Sequence, residues 1–388
     1  MKLSDLSVEH KSDFLKDKKI CLCVCGGIAS VEVVKLIREL RRQGAHVFVQ
    51  MTPQATKFIT PLSLEWASTH EVLTEITSGV PHTFEADLYM VAPATAHSIN
   101  KFALGLCDNL VLTTLATAWG RGSKIVIIPT MYEDLYENPA LQKNLKNLRE
   151  EKNIFILSEE PQENKIKFPD IDKIVAYVCH LLNKNEKNVL ITGGPTRAYL
   201  DKVRYLENIS SGELGVTMAD TFYKQGFNVT LVYGPGKFSP PQYVRTIHVT
   251  TAQQMKRILL EVSKTQYFDA ALFSAAVLDF EPQETLNQKK SSQADWVIHL
   301  KPTEKLMDHI PCAFKVGFKL EYDISEVDLL QKASMWSKEK KVNVVVANDL
   351  KLIKGEKHPA WILYGDHIYK ASSKQEISQI LSSIILSL

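Results

Sequence analysis

Residues 19–51 read KICLCVCGGIASVEVVKLIRELRRQGAHVFVQM, and this stretch decides the fold. An apolar run over Lys19–Val24 leads into Gly26-Gly27. Val31, Val34, Ile37 and Leu40 then recur at three-residue steps, a helical spacing, and Gly44 stands where such a helix stops. His46–Met51 is apolar again. Strand, glycine turn, helix and strand in this order make a β-α-β unit, whose crossover is right-handed.

The same alternation continues outward. Leu88–Ala92, Lys124–Pro129 and Asn153–Leu157 read as short strands, with helical spacing near Ser98–Leu106 and Leu110–Ala118. Ser158–Asp170 is polar and proline-containing, and a short helix over Ile171–Leu182 follows it. Asn183-Lys184-Asn185-Glu186-Lys187 has no apolar residue and marks a domain boundary. The pattern then restarts. Asn188–Thr192 reads as a strand, Gly193-Gly194-Pro195 as a turn, Leu214–Lys224 as a helix and Asn228–Tyr233 as a strand. Further strands are expected at Ala270–Ser274, Trp296–Leu300, Ala313–Phe318 and Val342–Ala347, and an amphipathic helix over Lys374–Leu388. The fold class is therefore α/β: two doubly wound parallel-sheet domains, over 18–183 and 187–388, without a clear sequence repeat.

Composition narrows the partners. Hydrophobic residues make up 45% and charged residues 23% of 388 residues, as in soluble globular chains. A net charge of +2 gives no electrostatic pull towards nucleic acid or an anionic membrane. No stretch approaches the ~18 apolar residues that suggest a membrane span, and Met1–Asp17 lacks the apolar core of a signal peptide, so a cytoplasmic location is expected. Cys21, Cys23 and Cys25 alternate, which puts them on one face of a strand. With Cys107, Cys179 and Cys312 they show no metal-ligand spacing, and read as small buried residues in a reducing compartment.

In the second half, unusual residues fall where strands end, which is where doubly wound sheets bind ligands. Gly193-Gly194-Pro195-Thr196-Arg197 follows one strand, and its amides can cradle phosphate. Val203-Arg204-Tyr205 precedes Asn208-Ile209-Ser210-Ser211-Gly212, which opens a helix and offers free amides and hydroxyls. Ser274-Ala275-Ala276-Val277 ends another strand, before Asp279-Phe280 and Lys289-Lys290, and Ala347-Asn348-Asp349 ends a third. The blocks GGPTR, LDKVRYLENISSGELG, VTLVYGP, SAAVLDF, VGF and VVVAND, in this order, resemble the phosphopantothenate–cysteine ligases from about Asn188 onward. The resemblance implies a CTP-dependent reaction in a Rossmann-like domain. The carboxylate of 4′-phosphopantothenate attacks the α-phosphate of CTP, and the amine of cysteine takes up the acyl-cytidylate. It implies Asn208 and Lys289 as catalytic residues. Ser274, Ala275, Asp279, Lys289, Phe318 and Lys340 would surround CTP, with Asp279 near Mg2+. Lys290-Ser291 departs from the family's K-I-K, and an alternative gap puts Asn287 at the catalytic place. Trp336 stands at a nucleotide-lysine position, which leaves CTP against ATP open, and Glu213 stands where lysine is usual.

In the first half, Gly26-Gly27-Ile28-Ala29-Ser30 is not a G-x-G-x-x-G fingerprint, but a helix start with Ser30 can bind one phosphate. With Met51-Thr52-Pro53, Ala92-Pro93-Ala94-Thr95-Ala96 and the GLCDNL of 105–110, it resembles the FMN-dependent phosphopantothenoylcysteine decarboxylases over about Lys18–Met131. That resemblance implies a flavodoxin-like domain with FMN on Gly26, Gly27, Ile28, Ser30 and Thr52, near Pro93, Ala94 and Thr95. His82 matches the catalytic histidine. Pro129-Thr130-Met131-Tyr132 stands where the family reads P-A-M-N, and Ser158–Asp170 has neither the cysteine nor the glycine of the family's lid. Three readings follow: a decarboxylase joined to a ligase, a ligase with a degenerate flavin domain, or a nonenzymatic flavin-binding regulator. The first two take small-molecule substrates, 4′-phosphopantothenate, cysteine and CTP, and the family's dimers and trimers imply a homo-oligomer.

Overall fold

The computed structural model describes residues 5–307, 310–355 and 357–388. The chain divides into two compact units, 1–182 and 183–388. The first carries a five-stranded sheet of β1 (Lys19–Val24), β2 (His46–Met51), β3 (Leu88–Ala94), β4 (Ile125–Pro129) and β5 (Ile154–Ile156). Every pair is parallel, in the order β2-β1-β3-β4-β5. Strands buried on both faces need apolar residues at every position, which is why they read as unbroken runs.

Helices cover both faces of this sheet. Val33–Arg42 and Ile171–Asn183 pack on one side, Ala96–Ala103, Leu110–Gly120 and Pro139–Arg149 on the other. The second face holds Cys21, Cys23 and Cys25, all fully buried. Burial pushes the Cys25 thiol up to about 11, so it stays protonated at neutral pH. The helix begins at Val33, after a 3-10 turn over Ile28–Glu32, and its core face is Val33, Leu36, Ile37 and Leu40. Val31 is exposed, because it lies in the 3-10 turn before the helix and not on the helix's core face.

The second unit holds eight strands: β6 (Asn188–Gly193), β7 (Asn228–Tyr233), β8 (Arg245–His248), β9 (Ala270–Phe273), β10 (Phe314–Glu321), β11 (Val344–Asp349), β12 (Ala360–Tyr364) and β13 (His367–Ala371). Their order is β8-β7-β6-β9-β10-β11-β12-β13. The first six are parallel, and β12 and β13 add an antiparallel edge. Helices Glu213–Lys224 and Lys374–Leu386 line one face; Ala252–Thr265 and Glu326–Lys340 line the other. Trp296–Leu300 is not a sheet strand. Leu300–Pro302 instead pairs with Phe280–Pro282 as a separate two-stranded ribbon, with all of Trp296–Leu300 part- or fully exposed. No helix among the described residues is long and apolar enough to cross a membrane.

Candidate active sites

In the first unit the strand order reverses between β1 and β3, so the crevice lies between the loops that follow them. The Cys25 amide donates to Pro93 O at 3.3 Å, which joins the two loops. Gly26 is sterically required, since an added Cβ would lie 2.6 Å from Gln54 Cβ. Gly27 is not; its Cβ would meet only Thr95 Cγ2, at 3.7 Å. The Gly26 and Gly27 amides make no hydrogen bond among the described residues. Ser30 is fully buried, with its hydroxyl 2.6 Å from Gly27 O and 2.9 Å from Cys25 O, so it braces the turn from within. Ile28 is exposed at its tip. Thr95 caps the helix Ala96–Ala103 by accepting from the Ser98 amide at 3.3 Å, while Pro93 and Ala94 are buried in β3.

Five buried polar atoms of this unit have no partner among the described residues: Gln50 Oε1, Thr52 Oγ1, His82 Nδ1, Thr114 Oγ1 and Thr130 Oγ1. Each unpaired buried group costs about 1–3 kcal/mol, so several close to strand ends point to polar groups of a ligand. Free amides at a glycine turn and an unpaired Thr52 hydroxyl fit a flavin nucleotide. His82 sits half-buried on the turn Pro81–Thr83, which packs against helix Leu110–Gly120. Gln50 Nε2 ties that turn to β2 by donating to Pro81 O at 3.3 Å.

The segment after β5 is ordered despite its polar composition. Glu163 and Asn164 have positive φ (51° and 58°) and turn a tight hairpin between Gln162 and Lys165. Lys165-Ile166 then pairs antiparallel with Met131-Tyr132. Tyr132 is exposed, and the Lys165 ammonium lies 5.2 Å from its ring centroid.

In the second unit the order reverses between β6 and β9. The loops after these strands are zipped together, since the Ala276 amide donates to Gly194 O at 2.9 Å and the Thr196 amide to Ala276 O at 3.3 Å. Asn208 is seated on this zipper. Its Nδ2 donates to Val277 O at 3.2 Å and to Ala276 O at 3.4 Å. Gly212 follows with φ +78°, and a Cβ there would fall 2.1 Å from Tyr233 Oη, so only glycine can lead the chain into helix Glu213–Lys224. Buried Asp201 holds the next loop. Burial alone would raise its carboxyl, but the amides of Val203, Lys290 and Arg204 and the Arg204 charge hold it below the usual carboxylate range.

A cavity of about 140 Å³ opens beside this crevice, lined by Thr192, Ala275, Asp279, Lys305, Trp336 and Lys340 among others. Three of the residues expected around CTP, Ala275, Asp279 and Lys340, thus meet in one pocket. Ser274 and Phe318 do not line it. Successive strand residues point to opposite faces, and these two lie on the side of helix Glu213–Lys224, with Ser274 Oγ donating to Thr192 O at 2.6 Å. Lys289 is exposed on a neighbouring loop, held by the Lys290 amide on Asp201 Oδ2 at 3.1 Å and by Arg204 Nη2 on Lys290 O at 2.6 Å. Asn287 is exposed on the same loop.

Sequence reasoning missed Lys305, whose ammonium pairs with Asp279, and Thr303, whose buried hydroxyl has no partner and faces the same cavity. The signal was the Lys301-Pro302-Thr303-Glu304-Lys305 run, which follows the misread strand. No group of three metal-ligating side chains occurs among the described residues; the carboxylates on the pocket wall are Asp279 and Glu304. Mg2+ is commonly held by one or two carboxylates together with substrate phosphates.

The flavoprotein family matches residues 8–183, and the DNA/pantothenate metabolism flavoprotein C-terminal domain family matches residues 184–388. The coenzyme A biosynthesis bifunctional protein CoaBC of Methanocaldococcus jannaschii is 35% identical over 383 residues, which is 95% of this chain and 93% of that protein. The Thermococcus kodakarensis protein of the same name is 36% identical over 390 residues, 96% of this chain and 95% of that protein. A solved C-terminal domain of a CoaBC protein aligns with a TM-score of 0.44 at 27% identity, covering 53% of this chain and 97% of that chain. With both halves matched in order and nearly full length shared with these relatives, the chain belongs to the family of bifunctional coenzyme A biosynthesis proteins, a flavoprotein domain followed by a DNA/pantothenate metabolism flavoprotein C-terminal domain.

Proposed function

We propose that both halves act in sequence on one small molecule. The C-terminal unit joins cysteine to 4′-phosphopantothenate at the expense of CTP, and the N-terminal unit decarboxylates the product to 4′-phosphopantetheine. The observation that carries the first step is the pocket in which Asp279, Lys305 and Lys340 meet beside Ala275. A carboxylate is a poor acyl donor. Its oxygen bonds to the α-phosphorus of CTP, pyrophosphate leaves, the amine nitrogen of cysteine bonds to the acyl carbon, and CMP leaves with loss of a proton. Negative charge gathers on the phosphates throughout, so the residues needed are cations and donors. Lys340 and Lys305 supply charge at the pocket, and Lys289 closes from the neighbouring loop. Asp279 takes Mg2+ that arrives with the nucleotide. Asn208, fixed to the 276–277 carbonyls, holds the acyl group. Ser274 and Phe318 act from the other face of the sheet.

In the N-terminal unit, Gly26, Gly27, Ile28 and Ser30 form the turn that takes the FMN phosphate, with Thr52, Pro93, Ala94 and Thr95 around it. FMN, when bound, supplies the two-electron oxidation that prepares the substrate for loss of carbon dioxide and then reverses it. His82 would serve that site through its Nδ1, which has no partner among the described residues, with a proton or a hydrogen bond. The chain works as a homo-oligomer in the cytoplasm.

Tyr132 and a lid segment without cysteine favour a second reading, a ligase with a silent flavin domain. One assay separates them. Purified protein receives 4′-phosphopantothenate, cysteine, CTP and magnesium, and products are followed by mass. 4′-Phosphopantetheine is the expected end product. Accumulated phosphopantothenoylcysteine alone supports the second reading, and no CTP-dependent product, with ATP as the control nucleotide, overturns the ligase.

A further inference from the structure

We propose that Lys165 is the group that recognises the carboxylate of the decarboxylase substrate, held in place by the ring of Tyr132. This rests on the decarboxylase reading above. The substrate of that step is anionic at both ends, and its carboxylate is the group that the reaction removes. Thr130 and Tyr132 leave β4 at the carboxyl edge of the sheet; the Thr130 amide donates to Ala94 O at 3.1 Å, and its buried hydroxyl has no partner. The residues flanking the next loop are strongly acidic: Glu133, Asp134, Glu159, Glu160 and Glu163. Glu159 is paired with Lys173 at 2.7 Å, and beside the remaining acids an anion enters more readily where a cation is fixed.

Two lysines lie on the hairpin side. Lys167 is committed to Glu163, 3.0 Å away. The Lys165 ammonium makes no ion pair within hydrogen-bonding reach among the described residues, although its charge also helps hold the Glu163 carboxyl down; it lies over the Tyr132 ring, 5.2 Å from the centroid. Backbone pairing of Tyr132 with Lys165 fixes both side chains at adjacent positions of one ribbon. A cation on an aromatic face keeps its other donors free for a carboxylate, and a charge-assisted bond of that kind is among the stronger ones available to a side chain. Tyr132 thus serves as a platform, and the polar hairpin supplies the charge.

Lys165 is a specificity residue in this proposal, because its partner on the substrate is present before carbon dioxide leaves and absent after. Lys165→Met is therefore expected to weaken binding of 4′-phosphopantothenoylcysteine about tenfold and to raise its KM similarly, with kcat changed less than about twofold. Binding of 4′-phosphopantetheine, which lacks the carboxylate, stays within about twofold of the unaltered protein. Lys165→Arg restores most of the loss. The full-length, flavin-loaded protein is used, and binding is read from the perturbed flavin absorbance during titration. Flavin content serves as the fold control, and Lys165→Gln is a second neutral variant should Lys165→Met lose flavin. Equal weakening of both ligands, or of neither, overturns the role of Lys165 while leaving the decarboxylase intact. An unaltered protein that neither binds nor converts phosphopantothenoylcysteine overturns the decarboxylase reading, and the proposal with it.

Discussion

The Lys305 ammonium lies 2.5 Å from Asp279 Oδ1 on the wall of the C-terminal pocket. Both side chains are more than half exposed, so the pair contributes little to stability and leaves the lysine available to a phosphate. Lys305→Met is expected to fold normally and to raise the KM for CTP about tenfold in the ligase assay, with the KM for cysteine unchanged. A shift confined to cysteine would move Lys305 to the other substrate.

Lys289 occupies an exposed loop whose backbone is fastened to Asp201 and Arg204 through its neighbour Lys290. Those anchors survive a change at 289. Lys289→Gln should therefore lower ligase turnover by about 100-fold or more at unchanged melting temperature. Asn287→Ala is the control, because the alternative register places Asn287 at the reacting position. Loss in Asn287→Ala with normal turnover in Lys289→Gln would select that register.

Strands buried on both faces were legible because they read as unbroken apolar runs, as in Ile125–Pro129. β8, β12 and β13 were not, since they lie at or beside a sheet edge and Arg245, His367 and Lys370 face water. The helix face around Val31 was misplaced because a 3-10 turn has no signature distinct from the first turn of an α-helix. At the candidate site, glycine turns, Asp279 and Lys340 could be picked out one by one. Their grouping could not, because Ser274 and Ala275 are adjacent in the chain yet point to opposite faces of the sheet. Lys305 was hidden by treating the residues before it as a strand.

Gly27 differs from Gly26 in having room for a side chain. Packing alone would tolerate a substitution, so Gly27→Asp tests ligand chemistry rather than folding. A carboxylate there would oppose a phosphate bound on the same turn, as the proposed FMN site requires. The variant is expected to purify with its secondary structure intact and with less than about a tenth of the flavin absorbance per chain. Retained yellow colour would show that the phosphate lies elsewhere.

His358 lies near Glu213 and Lys374, an ion pair with 2.6 Å between Lys374 Nζ and Glu213 Oε2. Burial, with repulsion from Lys374 second and Glu213 opposing, holds its imidazole down to about 4 from an ordinary 6.5. Its Nδ1 is buried and unpaired, which agrees with a neutral ring. Above pH 6.5 the ring is neutral in both folded and unfolded chains, and the full stability is present. Between 6.5 and about 4 the unfolded chain takes up a proton that the folded chain refuses, so stability falls as the pH falls through that window. His358→Gln should remove this part of the pH dependence, so its melting temperature falls less than that of the unaltered protein on going from pH 7.5 to pH 5, roughly the span over which an unperturbed histidine titrates. Lys374→Met should move the ring midpoint upward, readable in the histidine carbon–proton resonances. A midpoint already near 6.5 in the unaltered protein would show that the ring is hydrated and the cluster open.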